Sequence, residues 1–140
     1  MTILRLMRCA RGASILEFAI LAPLFIAMLV GLIEFGRAYW IRQSLAEVAF
    51  HTARCMAMDT ACANQAQSVA FAVARASDYT ISIAPSAVVP TSGVSCRGQA
   101  NSHQVVISTP FLSPIASFGF LPENLQVTAC FPVFSSGSGS

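Results

Sequence analysis

Lysine is absent from this chain, and charge of either sign is scarce. Only 10% of the 140 residues are charged, and every cation is an arginine. An ordinary soluble domain carries about 25% charged residues, so the composition argues against a cytosolic globular protein. The net charge is +2 and the arginines are scattered, which leaves no electrostatic footprint for nucleic acid and excludes it as an expected partner. Recognisable catalytic patterns are missing too. The only serine between glycines is Ser138, in the tail Gly137-Ser138-Gly139, without the nucleophile elbow. No glycine-rich phosphate loop occurs, and Glu34, Glu47, Asp59, Asp78 and Glu123 show no spacing that would pair two carboxylates. His51 and Cys55 stand four apart with Cys62 farther on, but structural zinc asks for four ligands at a recognisable spacing. His51 belongs instead to a wetted helix face, and His103 at a strand edge has no evident partner. An enzyme is therefore not expected, nor any cofactor or metal.

What the chain has in excess is apolar surface: 55% hydrophobic residues and a mean hydropathy of +0.66. The excess collects near the N-terminus. From Phe18 to Ile33 there is no charge, and Ala13 to Ile33 as a helix spans roughly 31 Å, the thickness of a bilayer's hydrocarbon core. Pro23 inside the run frees the carbonyl of Ala19, which transmembrane helices tolerate. A secretory signal peptide also has a basic start, and Arg5, Arg8 and Arg11 would serve. Its apolar region is shorter, however, and ends in small residues, whereas this one ends in Glu34-Phe35-Gly36-Arg37. Flanking charge does not orient the span, because Arg37 and Arg42 follow it closely. Glu17 is the anomaly. An acid near mid-membrane costs up to about 2.5–3.5 kcal/mol, and less at an interface, so Glu17 either snorkels to the headgroups or has a partner.

The stretch Arg11-Gly12-Ala13-Ser14-Ile15-Leu16-Glu17-Phe18-Ala19, with Pro23 and Glu34-Phe35-Gly36-Arg37, resembles the TadE-like proteins. These are minor pilins, or pseudopilins, of the tight-adherence (Flp) pilus, related to type IV pili. The resemblance is close over residues 8 to 40 and architectural beyond. It implies a leader, residues 1–12, removed by a prepilin peptidase between Gly12 and Ala13. It implies a transmembrane helix over 13–34 in the bacterial inner membrane and a periplasmic remainder, available for incorporation in a pilus. Partners would be the prepilin peptidase, other pilin and pseudopilin subunits, the inner-membrane assembly platform and membrane lipid. Glu17, fifth in the mature chain, would neutralise the N-terminal amine of a neighbouring subunit and set assembly register. The competing reading is a single-pass anchored binding or enzymatic domain with an uncleaved signal anchor. That reading leaves the Gly12–Glu17 spacing unexplained.

Past the span, Ile41, Leu45, Val48 and Thr52 fall on one helical stripe, opposite Gln43, Glu47, His51 and Arg54. The helix is expected to continue to about Met58 and to break at Asp59-Thr60. A second helix is expected from Asn64, its N-cap, to Ala76, with Ala66, Val69, Ala70 and Val73 on one face. Residues 35–76 would thus form a helical spine. Over 77–134 the period shifts to two. Tyr79, Ile81 and Ile83 are expected to form one strand, Val105, Ile107 and Thr109 a second, and Leu125, Val127, Ala129, Phe131 and Val133 a third. Phe111 to Leu121, broken by Pro114, Gly119 and Pro122, reads as a loop lid over the core. Residues 135–140 have flexible-linker composition. The fold class is α+β: a long N-terminal membrane-spanning helix continuing into an amphipathic helix, a second short helix, and a small antiparallel sheet, as in pilins.

Five cysteines are an awkward number for an exported chain. Loss of Cys9 with the leader leaves Cys55, Cys62, Cys96 and Cys130, which allow three pairings. The preferred one is Cys55 with Cys62, clamping the helix break, and Cys96 with Cys130, tying a loop to the last strand. The latter would contribute roughly 4 kcal/mol by closing a loop of about 35 residues.

Overall fold

The computed structural model describes residues 10–58, 60–114, 119 and 121–133, with side chains from Ile15 onward. The proposed leader, except its last residues, and the tail 135–140 lie outside the described residues, as do Asp59 and most of 115–120. Helix α1 runs Ala10–Met58 without interruption through Pro23. The chain divides into two compact units, Met1–Arg37 and Ala38–Ser140.

From Phe18 to Ile33 the helix surface is apolar all round. Ile15, Phe18, Leu24 and Phe25 are all largely exposed, and none of the most apolar window is buried within the chain. A surface of this kind is stable only in a lipid or protein environment. This one helix among the described residues is long and apolar enough to cross a membrane, and it fits a single-pass anchor.

The second unit is α+β. Beyond the C-terminal part of α1 come a short 3-10 turn, Thr60–Cys62, and helix α2, Gln65–Asp78. Three strands follow, β1 (Val88–Cys96), β2 (Gln99–Pro110) and β3 (Asn124–Pro132), paired antiparallel in the order β1-β2-β3. The core forms where α1, α2 and one sheet face meet. Leu45, Val48, Ala49 and Ala53 share it with Ala72, Ala76, Ile83, Val88, Val105, Ile107 and Val127. The stripe expected on α1 is therefore the buried one, with Thr52 among it. Its hydroxyl donates to the Val48 carbonyl at 2.8 Å, and Ser44 does the same to Trp40 at 3.0 Å, so neither brings an unsatisfied donor inside.

Two expectations need correction. Asn64 does cap α2, its side-chain oxygen accepting from the Gln67 amide at 2.9 Å. The buried face, however, is Ser68, Ala72 and Ala76, with Val69 and Val73 half-buried, and Ala66 and Ala70 are exposed. Ser68 can sit fully buried because its hydroxyl reaches the carbonyls of Asn64 and Cys62. The second correction concerns the first strand. Tyr79 and Thr80 form a turn, and Ile81 to Ile83 run on without joining the sheet, although Ile83 is buried and Ser82 exposed. The first strand is instead Val88–Cys96, which pairs Val88 with Ile107 and Pro90 with Val105. Proline is acceptable there because β1 is an edge. The second and third strands are where the alternation puts them. Phe111 and Leu121 pack with Ala38 and Leu125, as a lid would, while Leu112 points outward.

Candidate functional site

The sequence singles out the start of α1. Gly12 and Ala13 lie within the helical backbone, and Glu17 follows Ala13 by one turn. Positions so spaced share a helix face. Glu17 is exposed and makes no ion pair with any described residue. Its neighbours Ile15, Leu16, Phe18 and Ile20 are all exposed and apolar. The only other acid of this unit, Glu34, is buried, and the Arg37 guanidinium donates to it at 2.8 Å one turn on. Glu34 is thus paired inside the chain, whereas Glu17 is exposed and pairs with no described residue. Chemically, this is an acidic group on an otherwise apolar, exposed helix surface.

The structure joins Cys55 to Cys62 and Cys96 to Cys130, with Cα–Cα separations of 5.7 and 6.2 Å, inside the usual disulfide range. The first pair links the last turn of α1 to the 3-10 turn before α2. The second reaches from the end of β1 across β2 to β3, and Gln104 on β2 donates to the Cys96 sulfur at 3.6 Å. His51 is half-buried, its Nε2 3.9 Å from a Glu47 carboxylate oxygen. His103 does have a partner, against expectation: its Nδ1 lies 3.0 Å from the Ser92 hydroxyl on β1. Register across the β1–β2 hairpin brings these residues together, and sequence spacing alone carried no sign of it.

The hairpin turn carries no ready signal in the sequence. Cys96 pairs with Gln99, so the turn is Arg97-Gly98, both with positive φ (51° and 84°). This is the two-residue hairpin geometry that normally takes Asn-Gly or Asp-Gly. An arginine in the first position hid the signal. Gly93, also at positive φ, sits at a register shift between Thr91 and Val94, and a second shift follows before Cys96. Such bulges bend and twist a strand.

Residues 12–54 match the family described as TadE-like protein. The resemblance read over residues 8 to 40 is thus found independently, starting at Gly12 and reaching Arg54 on the core-forming part of α1. No curated protein matches the chain, and no solved structure does.

Proposed function

We propose that this chain is a minor pilin or pseudopilin of a tight-adherence pilus: a structural assembly component, not an enzyme. In this reading prepilin peptidase cuts after Gly12, and Ala13 becomes the N-terminus of an inner-membrane helix. The second unit then lies in the periplasm, where its two disulfides are stable. The mature subunit packs by α1 against the helices of other pilins and pseudopilins on the assembly platform, initiating or entering the filament. The observation that carries the reading is Glu17, exposed on an apolar helix surface one turn after Ala13, without an ion pair to any described residue, within the TadE-like segment. Its partner is the new amine of a neighbouring subunit. Opposite charges 4 Å apart attract by about 4 kcal/mol at an effective dielectric of about 20, before desolvation is subtracted. The net gain is smaller, but a lone charge pair in an apolar bundle fixes register, because every other register buries an unpaired acid.

Intact mass and N-terminal sequencing of the full chain, expressed with and without a prepilin peptidase, test this directly. A start at Ala13 that requires the peptidase is expected. An unprocessed chain in both cells would overturn the reading in favour of an anchored domain with an uncleaved signal. Glu17→Ala should be cleaved normally, yet pilus output should fall about tenfold or more, the equivalent of about 1.4 kcal/mol in assembly. Shear and quantification of surface fibres measures it, and unchanged output would remove Glu17 from assembly.

A further inference from the structure

Between α1 and the outer strand β3 lies a cleft of ≈ 530 Å³, whose polar lining is Tyr39, Arg42 and Gln43 from the helix, Arg97 from the hairpin turn, and Gln126 and Thr128 from β3. Every one of these side chains can donate a hydrogen bond, and no carboxylate lines the cleft. Arg42, Arg54 and Arg97 form no ion pair with any described residue, whereas Arg37 and Arg75 are paired with Glu34 and Asp78; of the three, Arg42 and Arg97 line this one cleft. From Ala38 onward arginines and carboxylates are equal in number, so this pairing of cations is a local arrangement and not a general excess. Arg97 is also held in place. It occupies a left-handed turn position, next to a cysteine bonded to β3, at the tip of a hairpin bent by two register shifts.

Two unpaired guanidiniums in a cleft of donors suit an anion with several acceptor oxygens, which arginine grips through paired N–H groups. Tyr39 and Trp40, both exposed, follow closely on the apolar run that ends at Ile33. Exposed Tyr and Trp at this place are the signature of a helix leaving the bilayer at headgroup level. We infer that the Arg42–Arg97 cleft binds the phosphodiester headgroup of an anionic phospholipid. The inference rests on the membrane-spanning reading of α1 and is independent of leader processing or pilus assembly.

The test uses the full chain in detergent micelles doped with either phosphatidylglycerol or phosphatidylcholine, with retained lipid counted by native mass spectrometry. Trp40, the sole tryptophan, gives a parallel fluorescence titration. Selective retention of phosphatidylglycerol is expected, reduced about fivefold by Arg42→Gln and about fivefold by Arg97→Asn. Asparagine keeps the turn because it tolerates positive φ. Arg42→Lys, which keeps the charge but loses the paired N–H groups, should fall between the parent and Arg42→Gln, and thermal midpoints equal to the parent's exclude unfolding as the cause of any loss. Equal retention of the two lipids, or a preference untouched in the arginine variants, would overturn the inference. Displacement of the lipid by equimolar inorganic phosphate would reassign the cleft to free phosphate, and displacement by an acidic peptide to a protein partner. Either outcome refutes the lipid assignment.

Discussion

A Gly12→Val chain is expected to remain at precursor mass in cells that carry the prepilin peptidase, and pilus output should fall to the level of a strain lacking the subunit. Two physical effects separate at this position. Glycine presents no side chain to the enzyme, so valine adds bulk where a scissile bond must be approached. Glycine is also the weakest helix former after proline, by about 1 kcal/mol relative to alanine, and Gly12 already lies inside α1. A peptidase that needs an extended backbone would find this turn the easiest to open. Gly12→Ala tells the two apart, because it restores small size while strengthening the helix. If bulk decides, the alanine chain is processed like the parent. If opening the turn decides, it is processed several-fold more slowly, up to about fivefold for 1 kcal/mol. Anti-tag blotting of precursor and mature forms over time measures both, and normal processing of the valine chain would place the cut elsewhere.

The second large effect concerns the disulfide between Cys96 and Cys130, which are 34 residues apart. On the chain-entropy account its loss costs about 4 kcal/mol, against about 2.5 kcal/mol for the short Cys55–Cys62 link. For a unit of this size that corresponds to a fall of about 15–30 °C in melting temperature. Cys96→Ser with Cys130→Ser should therefore melt far below the parent, and Cys55→Ser with Cys62→Ser between the two. Thermal unfolding of the full chain in detergent, followed by near-ultraviolet circular dichroism, gives the order. A parent whose melting is unchanged by reductant would show that neither bond contributes. The ranking also bears on the cationic cleft, since Arg97 follows Cys96 directly and its turn loses the tie to β3.

How far the sequence could be read depended on how sharply each segment's physics was written in side chains. The Ile41-Leu45-Val48-Thr52 stripe names a buried helix face, and all four residues are inward or half-buried. Asn64 named its own role because an N-cap needs one local hydrogen bond and nothing distant. The face of α2 was misjudged because alanine occupies both its buried and its exposed sides, so hydropathy cannot set the phase. Ser68, a polar residue, turned out to mark the inside. The alternation holds for the burial of Ile81, Ser82 and Ile83 but not for Tyr79, which lies in a turn with Thr80, and alternation says nothing about whether a partner strand exists. The true first strand carries Pro90 and Gly93, two residues that argue against a strand unless it is known to be an edge with a bulge. Edge status follows from topology, which no local window contains. The same holds for the cleft. Arg42 and Arg97 line one cleft only because the fold sets the hairpin turn beside the helix, whereas Gly12, Ala13 and Glu17 lie on one short helical segment and were legible together.

The packing of α1 in the second unit has a mechanical consequence. Leu45, Val48, Ala49 and Ala53 are spread along the helix and all enter the same core. A pull on α1 along its own axis loads these contacts in parallel, as shear, so they must fail together. The same force applied across the axis would peel them one by one. At the far end the Cys55–Cys62 bond ties the last turn of the helix to the start of the next element, which shortens the slack available for sliding. The second unit therefore resists a pull along α1 better than one across it.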